Sequence, residues 1–555
     1  MSNIRDDLVN AAIDRACVLV DYNVYDDIHK RYEFEKQTVL ADKSITENEK
    51  SEAIKELTKM YDEERILHNE GIKRICENCN KECLAILFCE HCVRNYLKAN
   101  FLNWTSGNDD IDDLIQECQM KIMGPHAIPE WISYNNLENI EYLTKGECSE
   151  IYTAIWIDGH FIEWDSNEKQ LKRFGKHLVV LKKLKNVENA SKSWFKEAKS
   201  HLIISNKYPE IVQCFGLTQD PSNGSYMLVM NKLDINLRNY LQQNNNQLTW
   251  KKRIQIATHI IYALEKIHSE NAIHKNLHSG NILFRSRFSI SDLGFCGPAD
   301  KPLKTIYGNL PYIAPEVIVG NEQTFKSDIY SIAMLMWEIS SGHSPFSNYE
   351  HNYNLAMSIV NGIRPKIVPG TPFKYKNLIK QCWDADPSKR PNANTLLNEI
   401  YKLNLYYQNK SDDLLIQSEE NNNLEINNAS NLKDYTSTTS QIYQFENLPE
   451  PRNATKAFYN KSFDFNIPDN VDDFGKSSNQ KNRSRISGIF RVGSKKLFKV
   501  FKNNSKNGNQ NDYKKETEQQ KVENDETNFD DKDDIYNNPN LHPEEQKEFE
   551  IPDDV

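Results

Sequence analysis

Four cysteines in one short segment have the spacing of metal ligands. Two residues separate Cys76 from Cys79, two separate Cys89 from Cys92, and nine residues lie between the pairs. Two such Cys-x-x-Cys turns can present four thiolates to a tetrahedral zinc ion, and the metal then replaces the apolar core that so short a segment lacks. Because four protein ligands leave no open coordination position, the pattern predicts a structural zinc site rather than a catalytic one.

Two alternatives stay open for this segment. The gap between the pairs is shorter than the roughly 15–20 residues usual in a zinc ribbon, so Cys83 and His91 are alternative ligands. The other interpretation needs no metal, because free cysteines behave as small apolar side chains and often lie in cores. We expect reduced thiols rather than disulfides, since the eleven cysteines accompany no secretory signal.

A second stretch, residues 273–283, reads IHKNLHSGNIL, and Asp292-Leu293-Gly294 begins nine residues after its end. The two resemble the catalytic loop and metal-binding turn of protein kinases, which read His-Arg-Asp-Leu-x-x-x-Asn and Asp-Phe-Gly. The resemblance implies that Asn281 and Asp292 hold Mg²⁺ beside the phosphates of ATP. Asn276, however, occupies the position of the family's catalytic aspartate.

Three elements upstream follow the order of a kinase small lobe. The Val-Val-Leu-Lys that ends in Lys182 resembles the family's Val-Ala-Ile-Lys, and Glu197 falls on a predicted helix where the family keeps the glutamate that pairs with this lysine. Such a pair would hold the lysine toward the α- and β-phosphates. In the segment that resembles the glycine-rich loop, the middle glycine is Gly146, whereas Thr144 and Ser149 replace the outer two.

Residues 226–233 resemble the family's fifth strand and hinge. The nucleotide contacts that this resemblance implies, besides Gly146 and Lys182, are Ile151, Met230 at the gatekeeper position, Asn231 and Leu233. The residue that contacts the ribose stays open between Asp234 and Asn236, because the loop is one residue shorter than the family's.

The remaining motifs belong to a kinase large lobe. Ala314-Pro315-Glu316 matches the family's Ala-Pro-Glu, and Arg390 is the expected partner of Glu316 in a buried ion pair. The ordered motifs span about 136–405 and look similar to the tyrosine-kinase-like branch. With the cysteine-rich segment in front, the chain also resembles an expanded kinase-like family of arbuscular mycorrhizal fungi. The implied fold is α+β and bilobal, with a helical, zinc-ribbon-like N-terminal region.

Asn276 decides how much chemistry the resemblance implies. Its amide can accept a hydrogen bond from a substrate hydroxyl but is not a base, and general-base catalysis is typically worth about 10²–10⁴-fold. Phosphoryl transfer nonetheless depends mainly on positioning and charge neutralisation. Two hypotheses follow: a slow ATP-dependent kinase of Ser, Thr or Tyr in proteins, or a pseudokinase that acts as a nucleotide-stabilised binding module.

Composition sets limits on the remaining possibilities. The 555 residues carry a net charge of −11, which argues against nucleic acid as the main partner. No run approaches the roughly 18 apolar residues of a membrane span, and the N-terminus lacks a secretory signal. The sequence therefore predicts a cytoplasmic protein. A mean hydropathy of −0.71 is low for a chain packed throughout, so part of it is expected to be disordered.

The elements that position these motifs divide the chain into five parts. We expect a charged helical region over 1–70, with Thr46 and Glu49 as a capping box; a cysteine-rich module over 71–100; a connector helix within 101–135; the kinase-like domain over 136–405, with a surface-rich insertion at about 158–176; and a mostly disordered tail over 406–555.

Within the tail, residues 481–502 hold eight Lys or Arg and no acidic residue. Apolar side chains from Ile486 onward could share one face of a helix, which is typical of segments that bind anionic membranes or calmodulin. The alternative is a solvated basic tract, which the 15 acidic residues between Glu516 and Asp554 would neutralise.

Overall fold

The structure is a computed structural model, and it describes residues 4–20, 24–145, 149–184, 193–293, 305–408 and 440–453. Gly146, Gly294 and the basic segment 481–502 lie outside the described residues. None of the helices in the described ranges combines the length and the apolar character that crossing a lipid bilayer requires.

The N-terminal region forms three helices, α1 (Asp6–Val18), α2 (Ile28–Ala41) and α3 (Glu47–His68). Their apolar faces meet in a core that includes Ala16, Val39 and Leu57. Thr46 and Glu49 form the predicted capping box at the start of α3. The same glutamate accepts a hydrogen bond of 2.8 Å from the guanidinium of Arg5, which ties the start of α1 to α3.

The cysteine-rich module contains a small antiparallel pair of strands, β1 (Arg74–Ile75) and β2 (Glu82–Cys83), and helix α4 (Glu90–Ala99). Helix α5 (Asp109–Met120) follows in the connector. The buried residues Ile111, Leu114 and Ile115 of α5 join a core that also contains Leu184 and Leu228 of the next domain. Helix α5 therefore packs the N-terminal part of the chain against the domain that follows.

The small lobe is built on a six-stranded sheet. Its strands are β3 (Glu130–Trp131), β4 (Leu137–Lys145), β5 (Glu150–Trp156), β8 (His177–Lys183), β9 (Cys214–Gln219) and β10 (Tyr226–Asn231), in the spatial order β3-β9-β10-β8-β5-β4. Helix α6 (Ser193–Ile204) shares the core with this sheet. Strand β3 runs parallel to β9, and Gly216 makes this possible, because its φ is +147° and a Cβ there would lie 1.8 Å from the carbonyl oxygen of Glu130.

The insertion between β5 and β8 is a two-stranded hairpin of β6 (Phe161–Asp165) and β7 (Gln170–Arg173). Its buried Trp164 and Leu171 lie in one apolar cluster with Phe88 and Val93 of the cysteine-rich module. The composition of residues 158–176 predicts a surface insertion, but buried residues of the hairpin pack against the cysteine-rich module. The difference arises because the residues of β7 other than Leu171 are polar and exposed, so its composition resembles that of a surface segment.

The large lobe is mainly helical. Its helices are α7 (Leu237–Asn244), α8 (Trp250–Ser269), α9 (Pro315–Ile318), α10 (Phe325–Ser341), α11 (Tyr353–Val360), α12 (Phe373–Cys382) and α13 (Ala393–Gln408). Strand β11 (Ile235–Asn236) precedes α7 in sequence, and β12 (Ile282–Phe284) and β13 (Phe288–Ile290) follow α8; the three form a short antiparallel sheet. The mixture of a strand-rich lobe and a helical lobe confirms the predicted α+β fold class.

One further sheet joins two distant parts of the chain. Strand β14 (Thr305–Gly308) pairs antiparallel with β15 (Gln441–Gln444), which belongs to the region predicted to be mostly disordered. Strand β15 differs from the expectation of a disordered tail from residue 406 onward. Ile442 and Tyr443 are strand-forming residue types, but a run of four residues beside a stretch rich in Asn, Ser and Thr is too short to predict a strand, and pairing with β14 stabilises it.

Candidate active site

Lys182, near the end of β8, lies between two carboxylates. Its Nζ is 2.6 Å from Oε1 of Glu197 on α6 and also contacts Oδ1 of Asp292. The sheet fixes this placement, because Lys182 is in register with Ile151 on β5 and with Leu228 on β10. Three of the predicted site residues, separated by up to 110 positions in sequence, thus meet at one point.

The charges in this cluster stabilise one another. Burial lowers the pKa of Lys182, but the nearby Asp292 and Glu197 outweigh it and raise this pKa well above its usual value. Burial also disfavours the ionised form of Asp292, yet Lys182 holds the pKa of this carboxyl well below its usual range. The lysine is therefore positive and the aspartate negative throughout the physiological range.

His201 is a neighbour that sequence reasoning missed. It lies one turn after Glu197 on α6, and a ring nitrogen is within 4.8 Å of the carboxylate oxygens of Glu197 and Asp292. Burial, with a contribution from Lys182, lowers the pKa of His201 to about 3, so the imidazole is neutral near pH 7. A helical i, i+4 spacing from Glu197 was the signal that could have identified it.

The loop 273–283 is held by Asp328 of α10. One oxygen of this carboxylate accepts the backbone N–H of His274 at 2.8 Å, and the other accepts that of Lys275 at 3.0 Å. Lys275 has a φ of +66°, a left-handed conformation that is uncommon for residues with a Cβ. The two hydrogen bonds stabilise this turn, which places the next residue, Asn276, against β14.

Asn281 connects the loop to the segment before Asp292. Its Nδ2 donates to the backbone oxygen of Asn276 at 2.9 Å, and its own carbonyl accepts from the backbone N–H of Ser291 at 2.8 Å. Carboxylate and amide oxygens are the hard ligands that Mg²⁺ prefers. The side chains of Asn281 and Asp292 therefore supply a donor set that fits this ion, with Lys182 beside it for phosphate.

Of the residues predicted to contact the nucleotide, Ile151, Lys182, Met230 and Asn231 lie on strands of the small-lobe sheet. Met230 is buried at the end of β10, and the half-buried Leu233 packs against the same core. The side-chain oxygen of Asn231 is 3.4 Å from Nε2 of His177. Of the two residues considered for the ribose, Asn236 caps α7 through its side chain, and Asp234 lies 3.5 Å from Arg285.

Asn276 is buried, and its side-chain oxygen accepts a hydrogen bond. Oδ1 accepts a hydrogen bond of 2.8 Å from the hydroxyl of Ser440, the residue just before β15. Gly308 of β14 lies beside this contact, and its φ of +146° is a backbone conformation that favours glycine. The position that the resemblance assigns to the catalytic base thus faces a hydroxyl from the chain's own tail.

The four cysteines of the N-terminal module form a second cluster. Their sulfur atoms all lie within 4.8 Å of one another, and two of the separations, Cys76–Cys92 and Cys79–Cys89, are 3.7 Å. Four thiolates about 2.3 Å from a zinc ion form a tetrahedron with edges of about 3.8 Å. The two separations of 3.7 Å match that edge length, and the other four are at most 4.8 Å.

The two alternative ligands lie outside this arrangement. Cys83 groups with Cys89 and Glu90 instead, and Nε2 of His91 is 3.0 Å from the carbonyl oxygen of Glu82. Asp62 of α3 fixes the module from outside by accepting two backbone N–H groups of the loop before Cys89, at 2.7 and 2.9 Å. The geometry therefore favours the four cysteines of the two Cys-x-x-Cys turns.

Fold and site together define a protein kinase domain. The family model described as protein tyrosine and serine/threonine kinase matches residues 137–400. The chain therefore contains a domain of this family, as its ordered motifs predicted.

Its similarity to curated proteins points to serine/threonine kinases of Dictyostelium discoideum. The chain is 28% identical over 306 residues to a probable serine/threonine-protein kinase, roco5, covering 51% of this chain and 10% of that protein. It is 27% identical over 289 residues to RGS domain-containing serine/threonine-protein kinase A, covering 51% of this chain and 23% of that one. A probable LIM domain-containing serine/threonine-protein kinase is 27% identical over 207 residues, 36% of this chain and 31% of the relative. In each case the match spans less than a third of the relative.

Proposed function

We propose that this chain is a Mg-ATP-binding protein kinase that transfers the γ-phosphoryl group of ATP to hydroxyl groups of Ser, Thr or Tyr in proteins, at a rate limited by Asn276. The observation that carries the proposal is the cluster in which Lys182 pairs with Glu197 at 2.6 Å and contacts Asp292. In the family such a lysine–glutamate pair is part of the assembled catalytic site.

Each site residue has a distinct role in this proposal. Lys182, held by Glu197, neutralises charge on the phosphates, while Asn281 and Asp292 hold Mg²⁺, which would supply further charge neutralisation. The nucleotide itself is bound by the six residues Gly146, Ile151, Lys182, Met230, Asn231 and Leu233. Asn276 orients the acceptor hydroxyl through its amide oxygen, as it does with Ser440, but takes no proton.

A pseudokinase that binds nucleotide without appreciable transfer is the second candidate. Two observations favour it: an amide in the position of the base, and the occupation of that amide by Ser440. In this case the domain would serve as a binding module whose stability depends on ATP.

Two measurements on the full chain separate the candidates. Mg-ATP should raise the melting temperature, because a ligand that binds the native state alone stabilises it. Lys182→Ala should reduce this shift, whereas Asn276→Asp should scarcely change it. With myelin basic protein as acceptor, Asn276→Asp should raise the transfer rate by up to about 10²-fold or more, if the missing base is the main defect.

The outcomes are decisive in both directions. A thermal shift without any transfer, in both the wild-type chain and Asn276→Asp, would support the pseudokinase. Wild-type turnover at the ~1–100 s⁻¹ usual for kinases would show that Asn276 is tolerated. No thermal shift with Mg-ATP would contradict both candidates.

We further propose that the cysteine module binds one structural zinc ion, supported by its sulfur–sulfur separations of 3.7 Å. The motif set supports placement in the tyrosine-kinase-like branch, near the kinase-like family of arbuscular mycorrhizal fungi. A cytoplasmic location, where thiols stay reduced, is part of this proposal and suits a four-cysteine zinc site. The tail segment 481–502 is proposed to contact an anionic membrane or calmodulin.

A further inference from the structure

The segment 440–453 follows the surface of the large lobe from the candidate active site outward. At its start, β15 pairs with β14 in the register Gln441↔Gly308, Tyr443↔Ile306 and Gln444↔Thr305. This pairing extends the backbone of the activation segment, the stretch between Asp292 and Glu316, by one strand. Because Gln441 is opposite Gly308, the residue before it reaches the loop that carries Asn276.

Side chains and backbone groups anchor the rest of this segment. Tyr443 is buried and stacks on Phe445 with ring centroids 5.6 Å apart. Arg452 donates from its backbone N–H to the carbonyl of Val360 at 3.0 Å and from Nη2 to Oδ1 of Asn361 at 2.6 Å.

Beyond these contacts, Asn453 accepts the backbone N–H of Ala385 and donates to Oδ1 of Asp384, both at 2.9 Å. The fourteen residues 440–453 are thus held near both ends of the segment.

The anchors orient one hydroxyl, that of Ser440, which is 7% exposed. Its Oγ donates to Oδ1 of Asn276 at 2.8 Å and lies 3.2 Å from Nε2 of His278. Nδ1 of His278 accepts the backbone N–H of Gly280 at 3.1 Å, so the neutral ring carries its proton on Nε2 and donates it to Ser440. Burial, together with the charge of Arg238, lowers the pKa of His278 to about 3, which keeps the ring neutral near pH 7.

We propose that Ser440 is a phosphoryl acceptor of this chain's own kinase domain, and that the segment 440–453 is a substrate tethered in cis. The hydrogen bond to Asn276 places the hydroxyl where the family's catalytic residue accepts the proton of a protein substrate. The pairing of β15 with the activation segment supplies the backbone contacts that an extended peptide makes with a sheet edge. The inference rests on the proposed function, because it needs a bound nucleoside triphosphate.

The reaction balances with groups already named. A bond forms between Oγ of Ser440 and the γ-phosphorus of ATP, while the bond from that phosphorus to the β,γ-bridging oxygen breaks and its electron pair leaves with ADP. In the native chain the hydroxyl proton passes to an oxygen of the transferred phosphoryl group, because Asn276 is not a base and Nε2 of His278 is already protonated. In Asn276→Asp the new carboxylate takes the proton.

The same geometry implies competition with other substrates. While the hydroxyl of Ser440 is hydrogen-bonded to Asn276, no second hydroxyl can occupy the acceptor position. An added protein substrate must therefore displace the segment 440–453. Phosphate on Ser440 would add about two negative charges and three oxygen atoms at a buried site, and we expect it to release the segment.

The experiment uses the full chain with Mg-ATP and maps phosphate by mass spectrometry of its peptides. In Asn276→Asp we expect phosphate on Ser440 with a first-order rate constant that stays constant when the protein is diluted tenfold, as a reaction in cis requires. Ser440→Ala should lose this phosphopeptide. The wild-type chain, incubated for hours beside Lys182→Ala as the inactive reference, gives the same information if Asn276→Asp does not fold.

An undocking variant tests the role of the strand. Tyr443→Ala keeps the acceptor but removes a buried anchor, so phosphorylation of Ser440 should fall by about tenfold or more while transfer to added myelin basic protein rises. Tyr406→Ala, which truncates an exposed tyrosine on α13, is the matched control and should change neither rate.

Each result decides one question. If Asn276→Asp phosphorylates myelin basic protein but leaves Ser440 unmodified, the inference about Ser440 is wrong and the proposed kinase activity stands. Phosphate on Ser440 at a rate proportional to protein concentration would also overturn it, because the reaction would then occur between chains. Transfer to neither acceptor overturns the proposed transfer activity and, with it, the role of Ser440.

Discussion

Arg390 and Glu316, 74 residues apart, form a buried bidentate ion pair in which both nitrogen–oxygen distances are 2.7 Å. The arginine side chain is fully buried, and the glutamate side chain is 8% exposed. Arg390 also donates to the carbonyl oxygens of Asp384 and Lys326, so four of its five N–H groups are hydrogen-bonded. The pair joins the helix after the activation segment to the segment before α13, as the resemblance to kinases predicted.

Breaking this pair should destabilise the protein strongly. Arg390→Ala leaves the Glu316 carboxylate buried without its partner, and the expected loss in the free energy of unfolding is about 3–5 kcal/mol. Lys402→Ala removes the exposed partner of Glu399 and should have no measurable effect. Urea titration of both variants checks the difference, and equal midpoints would contradict this assignment.

Zinc binding gives the second prediction. The purified full chain should contain close to one zinc ion, and the double change Cys76→Ser with Cys92→Ser should abolish it, since a tetrahedral site cannot tolerate the loss of two thiolates. Cys83→Ser is the matched control, because Cys83 lies outside the four-sulfur cluster, and it should retain the metal. Metal analysis that finds no zinc in the folded wild-type chain would leave a cluster of buried thiols.

The basic tail segment gives the third prediction. A peptide of residues 481–502 should bind vesicles of anionic lipid at low salt and become helical, with a gain of about 1 kcal/mol for each Lys or Arg near the surface. Raising the salt concentration should weaken binding steeply through screening. Circular dichroism with vesicles, and separately with calmodulin, checks this; a peptide that stays unstructured with both would be only a solvated tract.

Sequence alone predicted the parts of the site that carry local signatures. Lys182 ends a strand of apolar residues, Glu197 lies on a helix, and Asp292 follows a buried strand, so each has its own pattern. Their meeting point then follows from the register of the sheet. The four cysteines were predicted for the same reason, since their spacing is itself the signal.

Local patterns of this kind cannot predict contacts between residues that are far apart in sequence. Ser440 and the strand after it lie in a polar tail, and the alternation of Tyr443 and Phe445 is too short to predict a strand without the pairing to β14. The contact between the β6–β7 hairpin and the cysteine-rich module was not predicted either, because the buried residues of the hairpin pack against residues that are distant in sequence.

A buried histidine should make the stability of the protein depend on pH. His160 precedes β6 and stacks between Phe215, with centroids 4.8 Å apart, and Phe174, at 5.3 Å. Burial, with a contribution from the neighbouring His177, lowers the pKa of His160 from 6.5 to about 3. The unfolded chain therefore binds a proton at this imidazole between these pH values and the folded chain does not.

This difference in bound protons sets the direction in which the unfolding free energy changes with pH. The stabilising contribution of neutral His160 is present above pH 6.5 and is lost as the pH falls, by about 1.4 kcal/mol for each pH unit from this one group. His160→Phe keeps an aromatic ring in the stack but cannot take up a proton. Between pH 7 and pH 5 it should therefore gain about 2 kcal/mol in unfolding free energy relative to wild type.

Urea unfolding at pH 7, 6 and 5 measures this gain. His160→Phe is compared with wild type at each pH. The contributions of the other titrating groups, among them the buried His201 and His278, therefore cancel to first order. His68→Phe, a change at the exposed end of α3, controls for the loss of an imidazole as such. If the stabilities of His160→Phe and wild type fall in parallel over this range, His160 must already be protonated in the folded protein, and the stacked aromatic cluster cannot be as dry as its packing indicates.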